Sequence, residues 1–196
     1  MKKQSNIAYI LRISLTLLVI TAVVAALLAG VNKITKDKIA AIKKEKTDKA
    51  IAEVIPLPGR VEIEEVPFTD ESGLVKKVYQ PLLNTPSDPD PVFVYAVEVV
   101  PSGFDGEITM MVGIDKNGKV LGISIISHTE TAGLGAVAAA NNAKGEAFRN
   151  QFVDMSGSVA VTKDGGQVDA ITGATITSRA ICDGINAALA CVEKLV

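Results

Sequence analysis

With 196 residues, 48% of them hydrophobic, the chain can supply one membrane segment and one domain of ordinary size. A net charge of −2, no Trp and 4% aromatic content argue against a nucleic-acid surface or a base-stacking platform. One His and two Cys are too few for a typical zinc site or iron–sulfur cluster, so redox chemistry here calls for an organic cofactor.

After a short stub (residues 1–12), Ile13 to Val31 runs 19 residues without a charge. About 20 such residues cross the hydrocarbon core of a bilayer, whereas a cleaved signal peptide has an apolar region of roughly 7–15. The stretch therefore reads as a retained single transmembrane helix. Residues 32–55 continue it as a helical stalk, with Ile34, Ile39, Ile42, Ile51 and Val54 among interleaved Lys, Asp and Glu. Lys2, Lys3 and Arg12 precede the span, but Lys33, Lys36, Lys38, Lys43, Lys44, Lys46 and Lys49 follow it. Counted naively, that asymmetry would place the C-terminal domain in the cytoplasm.

Pro56 to Gly59 ends the stalk and opens the domain of residues 56–196. Strand-like runs follow at Val61–Val66, Leu74–Tyr79, Phe93–Val99, Ile108–Ile114 and Val120–Ile126, with a Pro/Asp-rich loop at Thr85–Pro91. Asp115-Lys-Asn-Gly118 joins the last two as a hairpin. Ala136–Phe148 is expected to be a helix and Val159–Thr162 a short strand. Ile181, Ile185, Ala188, Leu189, Val192 and Leu195 give a final helix its apolar face. Strands first and helices mostly later predict an α+β domain on a largely antiparallel sheet with a C-terminal helix. Cys182 and Cys191, nine residues apart on that helix, lie roughly 13 Å apart and cannot pair.

Gly133-Leu-Gly135-Ala-Val-Ala138 fits the dinucleotide fingerprint. However, Ser127 to Ala132 separate it from the preceding strand, and hairpin-linked strands are not a doubly wound sheet. Nicotinamide binding is not expected.

Just before the last helix stands Asp169-Ala-Ile-Thr172-Gly173-Ala174-Thr175. Hydroxyls on a small-residue turn at a helix N-terminus suit a phosphate, because the first-turn N–H groups are unpaired and the dipole is positive there. The rival reading is an ordinary helix start with Thr172 as N-cap. This stretch resembles the flavinylation motif of the Rnf/Nqr FMN-binding family, and is closest to the G subunits of Rnf complexes. A second stretch, His128-Thr-Glu130-Thr131-Ala132-Gly133-Leu134-Gly135, is similar to that family's His-x-Glu-Thr-Pro-Gly-Leu-Gly loop, with Ala132 in place of Pro. The resemblance covers most of the chain after residue 100, and more loosely its whole length.

The resemblance implies FMN joined by a phosphoester to Thr175 by a separate flavin transferase, with Asp169, Thr172, Gly173 and Ala174 as context. It implies that Glu130, Thr131, Gly133 and Leu134 line the flavin site, Leu134 against the isoalloxazine. Lys163 would be most simply a turn lysine, or else a cation for phosphate or reduced-flavin charge. The family also implies an inner-membrane, single-pass electron-transfer subunit of an ion-translocating, ferredoxin/NAD-linked oxidoreductase. Its FMN domain would be extracytoplasmic, against the lysine count, and its partners would be the other membrane and peripheral subunits. The alternatives are the C subunit of a sodium-translocating NADH:quinone oxidoreductase, which tends to be longer, and a flavin-free, membrane-tethered scaffold.

Overall fold

The computed structural model describes residues 3–55, 62–82 and 94–195. The expected stalk end at Pro56–Gly59 and loop at Thr85–Pro91 lie outside them. Helix α1 spans Lys3–Val54, and Gly30 does not interrupt it. Span and stalk are therefore one element. The chain divides into two compact units, residues 1–45 and 46–196. In the first, one helix is long and apolar enough to cross a membrane. Its large side chains, Leu15, Leu18, Ile20, Val24 and Leu28 among them, are exposed. Thr16 and Thr21 return their hydroxyls to the carbonyls of Arg12 and Leu17 at 2.8 and 3.0 Å, so both side-chain hydroxyls are paired within the helix.

The second unit is built on a five-stranded antiparallel meander: β1 (Glu62–Val66), β2 (Val75–Leu82), β3 (Val94–Val99), β4 (Thr109–Asp115) and β5 (Val120–Ser127), neighbours in that order. Both faces of the sheet are covered. Alternation sends Tyr95, Val97 and Val99 to one face with Met110, Val112 and Ile114. There they meet Phe148 and Phe152, stacked edge-to-face, and Ile181, Ile185 and Val192 of helix α3 (Thr175–Glu193). Val94, Ala96 and Met111 take the other face, under Ala50, Ile51, Val54 and Ile55 at the end of α1. That contact depends on a cross-strand glycine pair, Gly113 of β4 and Gly122 of β5. A Cβ on Gly113 would run into the Val54 carbonyl.

Two expectations are corrected. Ala136–Phe148 is not one helix: Gly135–Ala139 forms a 3-10 turn, and helix α2 begins afresh at Ala143–Asn150. Asn142 makes the break, because its side-chain oxygen accepts from the N–H groups of Lys144 and Gly145 at 3.1 and 3.0 Å. Nor does Val159–Thr162 join the sheet; it makes a single parallel bridge, Val161 to Val168. Asn186 of α3 takes the place of a strand neighbour, bonding both the N–H and the C=O of Val159 at 2.8 Å. Cys182 and Cys191 are free and buried, as their spacing required.

Candidate functional site

The stretch from Asp169 to Thr175 enters α3 on a backbone held at both ends. Gln151 grips Asp169 by its main chain, accepting from its N–H at 2.7 Å and donating to its C=O at 3.2 Å. At the far end, Ser178 accepts the Ile171 N–H and donates to the Ala174 carbonyl, each at 3.0 Å. Between these clamps the side chains of Asp169 and Thr172 are exposed. Gly173 turns the chain at φ +78°, which favours glycine, and Leu134 Cδ2 sits 3.0 Å from where its Cβ would be. Helix α3 starts at Thr175 with Ala174 in the N-cap position and, among the described residues, no side chain bonded there. Thr172 is therefore not the cap. The first-turn amides thus have no side-chain cap among the described residues, and the Thr175 hydroxyl lies at their edge.

A cation sits beside that hydroxyl. Lys163 donates from Nζ to Thr175 Oγ1 at 3.4 Å. Lys163 belongs to a 3-10 turn, Thr162–Asp164, closed by Gly165. The next residue holds the turn in place: Asp164 receives a two-pronged bond from Arg179 of α3, both contacts at 2.7 Å. This hydrogen bond, with the guanidinium charge, holds the Asp164 carboxyl below its ordinary pKa. Arg179 lies one helical turn beyond Thr175, so the same helix carries the hydroxyl and the anchor of the lysine that reaches it. Gln151, Asp164, Ser178 and Arg179 had no sequence signal, since each acts through a partner remote in the chain or through its own backbone geometry.

The loop after β5 contributes differently. Glu130 is buried at 7% exposure, and both carboxylate oxygens are taken. Oε1 accepts from the N–H groups of Phe104 and Asp105 at 2.8 and 3.1 Å, and Oε2 accepts a short bond from the Thr177 hydroxyl. Gly103 and Gly135 leave the room it occupies. The carboxylate thus ties the Gly103–Gly106 turn to the first turn of α3. The Thr131 carbonyl accepts from the N–H groups of Leu134 and Ala136 at 3.1 and 3.2 Å, folding the loop so that exposed Leu134 faces Gly173. Gly133 has φ +76° with open space beside it. His128 Nδ1 is buried with no partner among the described residues.

These residues fit a phosphorylated flavin. Uncapped helix amides, an ammonium and a hydroxyl make a donor set for a phosphate, and a glycine turn lets a bulky group approach under an exposed leucine. The five described strands form an antiparallel meander, not a doubly wound parallel sheet.

Comparison with known proteins agrees. Residues 103–190 match the model of the FMN-binding domain, and residues 1–54 match that of the RnfG N-terminal region. The class is thus a flavin-binding domain carried behind an N-terminal helix. The chain is 32% identical to the G subunit of an ion-translocating oxidoreductase complex of Methanosarcina acetivorans, over 92% of this chain and 93% of that one. It is 31% identical to the G subunit of the Na(+)-translocating ferredoxin:NAD(+) oxidoreductase complex of Acetobacterium woodii, over 99% and 97%. It is 40% identical to the proton-translocating counterpart of Clostridium ljungdahlii, over 48% and 51%. The chain belongs to the G-subunit family of ion-translocating oxidoreductase complexes.

Proposed function

We propose that the chain is a membrane-anchored electron-transfer subunit of an Rnf-type ferredoxin:NAD oxidoreductase, working through FMN attached by a phosphoester to Thr175. The observation that carries this is the Thr175 hydroxyl, on the uncapped first turn of α3 and beside the Lys163 ammonium. The first-turn amides and Lys163 would hold the phosphate, Gly173 and Ala174 would keep its approach clear, and Leu134 would face the ring. Asp169, exposed on the turn, would be open to recognition by the transferase, and Thr172, also exposed, would flank the acceptor without carrying the flavin. Glu130 would act by holding the loops together. Bound FMN accepts one or two electrons, which suits a relay between single-electron carriers and a hydride acceptor.

The names of the relatives favour an Rnf-type complex over a sodium-pumping NADH:quinone oxidoreductase, and the donor set at Thr175 favours a flavoprotein over a bare scaffold. Residues 13–31 would lie in lipid, with the flavin domain on the extracytoplasmic side and other complex subunits as partners. A tether would keep FMN from being lost there. Chain co-produced with a flavin transferase should give a fluorescent band in a denaturing gel. It should be bleached by dithionite but not by NADH alone; rapid reduction by NADH would contradict a relay role and point to a nucleotide site at Gly133–Ala138.

A further inference from the structure

Away from the α3 turn, one cavity gathers like charges that nothing in the site described above uses. It encloses about 160 Å³ between the end of α1, the edge strand β5 and helix α2. Lys46 and Lys49 line it from α1 and Arg149 from the last turn of α2, with Glu53 and Ser124 completing the polar wall. The concentration of cations stands out, because Asp and Glu outnumber Lys and Arg across residues 46–196. A lysine run on a helix is ordinarily a solvated face balanced by acids one turn away. Lys46 has no such neighbour: Ile42, Lys43, Lys49 and Ala50 occupy the positions three and four residues from it.

Arg149 has Glu146 one turn back, yet among the described residues it makes no ion pair. Its Nη1 donates instead to the carbonyls of Ala138 and Ala140, at 2.6 and 3.1 Å. Those neutral partners hold the guanidinium in place without cancelling its charge, and Nε and Nη2 have no partner among the described residues. The one carboxylate of the wall is already engaged. Glu53 Oε2 accepts from the hydroxyl of buried Ser124 at 2.6 Å, and Oε1 stands 3.8 Å from the Lys49 ammonium. Three cations therefore face one anion. An occupant must be anionic, offer several acceptor oxygens and be small. A cavity of about 150 Å³ takes a molecule the size of benzene, which admits a phosphate-sized oxyanion and leaves no room for a nucleotide. The guanidinium fork suits such oxygens, and the surplus of positive charge favours a dianion.

We propose that the cavity between α1, β5 and α2 binds a free divalent oxyanion of the phosphate type, held by the Arg149 guanidinium and the Lys46 and Lys49 ammonium groups. Arg149 also fixes the end of the 3-10 turn Gly135–Ala139, so the bound anion is one side chain away from the loop that Glu130 braces.

Calorimetric titration of inorganic phosphate into the full-length chain in neutral detergent tests this. Every chain carries Lys163→Gln, which takes the cation beside Thr175 out of the measurement, so the outcome does not depend on the flavin assignment. One phosphate per chain should bind saturably. Lys46→Gln with Lys49→Gln should weaken it by about tenfold or more, the order expected when charged hydrogen bonds are lost. Lys43→Gln with Lys44→Gln removes the same charge from the same helix outside the cavity, and should change the affinity by less than about twofold. All four lysines are exposed, so these variants should fold, and matched melting midpoints check that they do. Absence of saturable binding would overturn the site. So would an affinity unchanged by Lys46→Gln with Lys49→Gln, which would put the phosphate elsewhere. Equal losses in the two double variants would overturn it too, since phosphate would then answer only to the charge of the helix.

Discussion

Lys163 and Thr175 stand twelve residues apart in sequence and share a hydrogen bond at 3.4 Å. The Asp164–Arg179 pair makes that proximity reproducible: although both side chains are exposed and the pair adds little stability, its two-pronged geometry fixes a direction. If Lys163 neutralises phosphate as the phosphoester forms, Lys163→Gln should slow flavin incorporation by about tenfold, the order expected for one charged hydrogen bond. Lys163→Arg should recover part of it. A time course of gel fluorescence with purified transferase checks this, and equal rates for wild type and Lys163→Gln would remove Lys163 from the phosphate site. In sequence, Lys163 reads most simply as a turn lysine, with a cation for phosphate or reduced-flavin charge as the alternative. Glu130 was legible as a member of its loop but not as its brace, because its partners lie 26 and 47 residues away.

Among the elements, the parts specified locally were legible. The Asp115–Gly118 hairpin follows from its own turn residues: Asp115 Oδ1 accepts from the N–H groups of Asn117 and Lys119 at 2.8 Å. Five strands and a C-terminal helix followed from periodicity in the same way. What failed were decisions made by a competing side chain, Asn142 splitting the expected Ala136–Phe148 helix and Asn186 replacing a strand partner for Val159. The seat of α1 on the sheet was hidden for a third reason: Gly113 and Gly122 become a groove only when strand pairing brings them side by side. Gly113→Val should destabilise the domain by about 1–3 kcal/mol, because its side chain must displace the Val54 backbone. A thermal melt of the purified chain would show this as a lowered midpoint, and an unchanged midpoint would mean that α1 does not rest there.

For the molecule as a whole, the lysines after the span predict one side of the membrane and the family predicts the other. The native cysteines make a clean probe possible. Both are buried; desolvation, with Asp183 nearby, pushes the Cys182 thiol up to about 12, and desolvation also raises Cys191. At pH 7–8 neither presents much thiolate, so an engineered Lys116→Cys in the exposed hairpin turn would be the reactive thiol. A membrane-impermeant maleimide should label it in spheroplasts. Labelling only in inverted vesicles would place the flavin domain in the cytoplasm and vindicate the lysine count.

The central claim is that one hydroxyl, on Thr175, carries the flavin, and intact mass tests it most directly. Co-produced with a flavin transferase, wild-type chain should gain the mass of one FMN less one water, as should Thr172→Ala and Thr177→Ala. Thr177→Ala should also be less stable by about 1–3 kcal/mol, since Glu130 loses a buried partner. Thr175→Ala should show the mass of its polypeptide alone. An FMN increment on Thr175→Ala would contradict the account.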